Sequence, residues 1–205
     1  MRNLFVRVFA ILSLFLLVAC GAGGGQGPLP IAQEQAVAFA ASGPPTITVI
    51  TMVNNRTGAG GHSALMVSGS QRVLFDPAGS YRPDYLTEQG DVLYGITDRH
   101  YGYYLSAHAR NSHHVVMQSM VVSPEAAEKA LALVQERGSV SSALCTNSTT
   151  TILKQVPGFE DIGVTFFPKR LMKQIAERPG VTTDKWIEND EGDVIDGIVD
   201  VVASE

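Results

Sequence analysis

The sequence predicts an α+β fold: an antiparallel sheet packed with helices. Three observations carry this reading. Residues 46–123 hold short alternating or β-branched runs divided by glycine-rich turns. Residues 123–178 hold helical patterns with clear start and stop signals. Strand signals come largely before helix signals, an order that favours α+β over repeated strand–helix–strand units.

Each element follows in turn. Residues 46–54 (TITVITMVN) alternate and are β-branched, and NNRTGAGG then turns the chain. HSALMVS, residues 62–68, reads as the second strand. RVLFDPAG, residues 72–79, reads as the third and ends at Pro77. Residues 80–112 carry all six tyrosines and have poor periodicity, so they read as mixed loop and helix. These tyrosines suit either a substrate groove or the core. Residues 113–123 form a further strand.

Ser123, Pro124 and Glu125 supply an N-cap, a first-turn proline and a first-turn acid. Ala127, Ala130, Leu131 and Val134 then keep helical spacing up to Gly138. SVSSAL is a loop, and a helix begins near Cys145 and runs to about Val156. GVTFF reads as a short extended piece, and Pro168 opens a helix that Pro179-Gly180 closes. The acidic residues 182–205 read as a late strand or a loose end.

The start of the chain carries a separate message. Arg2 and Arg7 precede an apolar run over residues 8–19, shorter than the ~20 residues a membrane span needs. The run ends in Leu17, Val18, Ala19 and Cys20, which resembles a bacterial lipoprotein lipobox. The resemblance implies removal of residues 1–19 and acylation of Cys20. With Gly21 rather than Asp after the cysteine, it implies an outer-membrane anchor facing the periplasm. Residues 20–45 then form a Gly-, Ala- and Pro-rich tether, with a short helix within 31–41. The folded domain spans 46–181, and 182–205 is an acidic C-terminal tail.

Loss of Arg2 and Arg7 would take the formal charge from −5 to −7, a poor balance for nucleic acid. Cys145 then has no partner for an intramolecular disulfide. A thiol at a helix N-terminus meets unpaired N–H groups and the positive end of the helix dipole, which favour thiolate and serve a developing oxyanion. Against this stands the ordinary alternative of a small buried thiol.

A base must come from His62, His100, His108, His113 or His114. His62 follows two glycines at a strand start, where its side chain can enter a cleft. Asp76 ends the next strand, so an antiparallel pair can bring it to His62 as the orienting group. It is equally a natural turn residue before Pro77. His114 is the reserve for that third role. The remaining histidines lack zinc-site spacing, and His113 and His114 fall on opposite strand faces. No metal and no cofactor is expected.

Gly61-His62-Ser63-Ala64-Leu65 on a strand, a second strand with a polar residue, and a later cysteine opening a helix form a recognisable order. It resembles the circularly permuted branch of the NlpC-type papain-like cysteine hydrolases, which includes lecithin:retinol acyltransferase-like proteins. SPEAAEKALALVQERGSVSSALCTNSTTTIL and FFPKRLMKQIAE are similar to that branch's helices, and the resemblance as an ordered pattern covers roughly residues 46–178. The resemblance implies Cys145 as nucleophile, His62 as base and Asp76 in the third place. Many bacterial relatives have Asn before the cysteine, where this chain has Leu144.

The implied activity is a membrane-tethered thiol hydrolase acting on an acyl or amide bond, with a cell-wall peptide amide favoured by the placement. A lipid acyl hydrolase or acyltransferase of the same branch is one alternative. A noncatalytic envelope-binding lipoprotein is the other. The implied partners are the membrane, through the lipid anchor, and a peptidoglycan peptide or lipid substrate; the oligomeric state stays open.

Overall fold

The computed structural model describes residues 28–203. The signal segment, Cys20 and the first part of the tether lie outside the described residues. The fold is α+β. A seven-stranded antiparallel sheet, in the order β4-β5-β3-β2-β1-β6-β7, packs with six helices among the described residues.

Helix α1 (Ile31–Val37) falls within the tether. Strands β1 (Thr46–Asn54) and β2 (Gly60–Ser68) form the central hairpin, and β3 (Arg72–Phe75) continues it. A small hairpin, β4 (Glu88–Gln89) and β5 (Val92–Leu93), closes one edge. Helix α2 (Asp98–His108) starts at an N-cap where Thr97 Oγ1 accepts from His100 N–H, and leads to β6 (His113–Val121). Helix α3 (Pro124–Arg137) has the expected Ser123 cap and ends at Gly138. Helices α4 (Cys145–Leu153) and α5 (Pro168–Ala176) follow, then β7 (Thr182–Trp186) and α6 (Val194–Ala203).

Strand alternation divides the core between two faces. Ile47, Val49, Leu65 and Phe75 pack beneath α3, α4 and α5 with Leu131, Ile152 and Leu171. Ile50, Met52, Ala64 and Leu74 pack on the other face with Tyr104 and Leu105 of α2. The sheet is therefore covered on both sides, which is why its central strands are nearly continuous in apolar residues.

The third strand is shorter than expected. It stops at Phe75 because Asp76 N–H turns to the Asp91 carbonyl and Ala78 takes a positive φ of 58°. The GVTFF piece pairs with no strand: Thr165 exchanges hydrogen bonds with Thr150 of α4 instead. The late strand is real and pairs with β6 from Ser119–Thr182 to Val115–Trp186. Helix α6 packs on α2 through Gly197, where a Cβ would lie 2.6 Å from Ala107 Cα. Residues beyond 181 thus belong to the folded body.

Candidate active site

His62 stands where the central ladder is irregular. Met52 pairs with His62 but Val53 pairs with Gly60, so Gly61 is an extra residue in β2. Such a bulge re-aims neighbouring side chains. His62 belongs to the α2 face, with Ala64 and Met66. On the β3 side, paired residues begin only at Leu65–Phe75, so the strands separate beside His62.

Helix α4 meets that opening from the opposite face. Ser63 Oγ lies 3.1 Å from Thr146 Oγ1, a buried contact that ties β2 to the first turn of α4. Thr146 Oγ1 lies 3.7 Å from the Cys145 sulfur, and the Ser63 backbone helps to hold the thiol down. Histidine and cysteine therefore approach from the two faces of the sheet and meet where the β2–β3 ladder is open.

The first i→i−4 bond of α4 runs from Ser148 N–H to Leu144 C=O. The N–H groups of Cys145, Thr146 and Asn147 form the polar start of the helix. Ala143, two residues before the cysteine, holds a positive φ of 68°. For a residue with a Cβ this costs about 1–2 kcal/mol, a strain found where a turn must present a functional group.

His62 Nε2 lies 2.6 Å from Asp76 Oδ1, and Tyr104 donates its hydroxyl to the same oxygen at 2.8 Å. A Cβ on Gly79 would lie 1.8 Å from Asp76 Oδ2, so the DPAG turn requires glycine there. Burial alone would push the His62 imidazole down, but the charge of Asp76 and its hydrogen bond, helped by Cys145, raise it to about 10. Asp76 is pushed up by burial and pulled further down by His62, so its carboxyl stays below its ordinary range. Burial pushes the Cys145 thiol up, and the hydrogen bond and charge of His62 outweigh it, bringing it down to about 7. Near neutral pH the pair approaches thiolate–imidazolium, the reactive form of a cysteine nucleophile.

The structure thus brings Cys145, His62 and Asp76 together. His114 sits elsewhere: its Nδ1 contacts Asn55 Oδ1 at 2.7 Å, on the α5 side of β6. Sequence reasoning weighed His108 only as one of five histidines and Tyr104 only as one of six tyrosines, and it missed Asp91. His108 stacks on His62 with centroids 6.4 Å apart and donates Nδ1–H to the Tyr104 carbonyl. Burial pushes it down to about 4, so it is neutral. The i, i+4 spacing of Tyr104 and His108 was a usable signal, since it places both on one helix face.

Beside His62 lies a cavity of about 300 Å³, lined in part by Met52, Gly61, His108, Arg110 and His113. It is of the size that receives a small ligand or one branch of a larger one. Among the described residues, no three His, Cys, Asp or Glu side chains group as a metal site, and no helix is long and apolar enough to cross a membrane. Comparison with protein-family models, with curated proteins and with solved structures found no match.

Proposed function

We propose that the protein is a thiol hydrolase acting on an acyl or amide bond, on a permuted papain-like (NlpC-type) core. The observation that carries this reading is the position of His62, held at 2.6 Å by a buried Asp76 while it draws the Cys145 thiol down to about 7.

In the proposed reaction the Cys145 thiolate attacks the carbonyl carbon. The N-terminal N–H groups of α4 receive the developing oxyanion. Protonated His62 gives its proton to the departing amine or alcohol as the C–N or C–O bond breaks, leaving a thioester on Cys145. Water then attacks the thioester with His62 as base, releasing the acid and restoring the thiol. Asp76 keeps the imidazole in its working orientation and stabilises its cationic form.

The first substrate class is an amide of a cell-wall peptide. This follows from the lipobox-like start of the chain and the implied outer-membrane anchor. Lipid esters form the second class to be screened.

The experiment is the pH dependence of Cys145 alkylation in the wild type and in His62→Ala, together with turnover on stem-peptide amides and lipid esters. The wild-type thiol is expected to titrate near 7 and to return toward ~8.5 without His62. Cys145→Ser and His62→Ala are each expected to lower turnover at least about 10³-fold with the fold intact. A thiol that is inert in both proteins overturns the reading in favour of an envelope-binding role, and turnover that survives Cys145→Ser overturns the Cys145 mechanism.

A further inference from the structure

We propose that the face formed by the 163–167 loop, helix α5 and the neighbouring edge of the sheet docks on an anionic lipid bilayer. This contact is separate from any lipid on Cys20 and independent of the chemistry at Cys145.

The loop presents Val164, Phe166 and Phe167 to solvent, at 46%, 57% and 67% exposure. These are the two exposed phenylalanines among the described residues. Their exposure is fixed by the fold. Thr165 between them is buried, and its backbone N–H and C=O both bond to Thr150 Oγ1 of α4. Pro168 and Lys169 pack on Gly60 so tightly that a Cβ there would lie 2.6 Å from Pro168 Cβ. A rigid loop therefore holds large apolar side chains outward, an arrangement that burial against water does not explain.

Charge points to the occupant. Next to Phe167, helix α5 and β7 flank a groove of about 650 Å³ rimmed by Lys169, Lys173, Lys185 and His114. The chain has five lysines and a net charge of −5, so three of its five lysines gather here against the overall balance. Glu177 reaches Lys173 only at 3.8 Å, on the exposed side of α5. Asp184 alternates to the α2 side of β7, opposite Met117. The groove floor includes Val116 and Met172. Gln118 also lines it: this side chain is 1% exposed, and its Oε1 has no partner among the described residues.

Aromatic side chains beside clustered lysines match the two demands of a bilayer surface, an interfacial apolar layer and anionic headgroups. The other exposed apolar stripe, Ile195, Val199 and Val202 on α6, is interleaved with Asp196 and Asp200 and lacks that charge match.

The test is hydrogen–deuterium exchange of the full chain in nanodiscs of phosphatidylcholine, with and without one-third phosphatidylglycerol. Amides of residues 163–173 are expected to exchange at least about fivefold more slowly in the anionic discs, while α6 is unchanged. Salt at about 0.5 M is expected to remove the difference. So are Phe166→Ala/Phe167→Ala and, as a second variant that leaves the aromatic loop intact, Lys169→Glu/Lys173→Glu. Equal exchange in both lipids overturns the proposal, as does protection confined to α6. Protection that rises with protein concentration in phosphatidylcholine discs overturns it in favour of a second copy of the chain.

Discussion

Asp76 and Asp91 are both buried carboxylates at the same end of the sheet, yet they face different kinds of partner. Asp76 Oδ1 accepts from His62 and Tyr104, side chains that carry the site. Asp91 Oδ2 accepts the backbone N–H groups of Ala78 and Val140 at 2.9 and 2.8 Å, and Oδ1 accepts from Arg82 at 3.0 Å. Its own carbonyl receives Asp76 N–H at 2.8 Å. Asp91 thus joins the turn that follows Asp76 to the loop that precedes Cys145. One carboxylate faces an imidazole that can gain and lose a proton; the other faces backbone amides and Arg82, which keep theirs. The first therefore sets proton affinity and the second sets distance, although both are acids in the same region.

The largest effect is expected at Asp76. Asp76→Asn removes the charge that raises His62, so the imidazole falls from about 10 and burial, the largest influence on it, then pushes it down. The Cys145 thiol, held down to about 7 by His62, must then rise. The alkylation midpoint is expected to move up toward ~8.5, and turnover to fall about 10³- to 10⁴-fold. The sign also fixes stability. The His62 contribution is full below 6.5 and is lost as pH rises through about 10, while that of Asp76 is full above its ordinary 3.8 and is lost on acidification. Melting curves of wild type and Asp76→Asn should therefore converge at both extremes of pH. Gly79→Ala is expected to imitate this variant at lower amplitude, because its Cβ would displace Asp76 Oδ2 from 1.8 Å. An unaltered alkylation profile in Gly79→Ala would show that the turn yields without moving the carboxylate.

Asp91→Ala comes next and should act on a different readout. It leaves two half-buried backbone N–H groups without their acceptor and removes one of the two carboxylate partners of Arg82, which keeps Glu88, a loss of about 2 kcal/mol or roughly 6 °C in Tm. Turnover is expected to fall about tenfold as the Cys145 loop loosens, because small misplacements of a reacting group are costly. The alkylation midpoint should stay near 7, since Asp91 is not among the groups that set the Cys145 or His62 affinity. A midpoint that moves as far as in Asp76→Asn would break the distinction between the two acids.

The two carboxylates were unequally legible in the sequence, for a physical reason. His62 lies near the start of β2 and Asp76 just past the end of β3, adjacent strands of a short meander, and the apolar runs HSALMVS and RVLF between glycine-containing turns mark both ends. Cys145 was legible because the Ser123 cap, the Gly138 stop and the loop after it count off the start of α4. Asp91 gives no local signal. It sits between two-residue strands, and its partners Ala78 and Val140 are far from it in sequence. Tyr104 and His108 were obscured because α2 buries only Tyr104, Leu105, Ala107 and His108, a cluster near one end rather than a stripe. Strand β7 was ambiguous because all five residues of TTDKW are exposed, and edge pairing with β6 alone defines it.

Tyr104→Phe gives the smallest expected effect and the finest test of the comparison. The change deletes one of the two donors at Asp76 Oδ1 and leaves the ring in place, 5.0 Å edge-on to Tyr81 and 4.2 Å from His108. Asp76 keeps its 2.6 Å contact with His62, and the charge of the carboxylate dominates the rise of the imidazole; Tyr104 is not among its causes. Losing the hydroxyl should weaken the carboxylate's preference for its charged form only slightly. Neutral His108 cannot supply a compensating cation, because burial holds it down to about 4. The expected outcome is a loss of about 1–2 kcal/mol in stability and less than about tenfold in turnover. The alkylation midpoint should shift by much less than in Asp76→Asn. Equal shifts in the two variants would mean that the hydroxyl, by fixing where Asp76 points, controls the pair as strongly as the carboxylate's charge does.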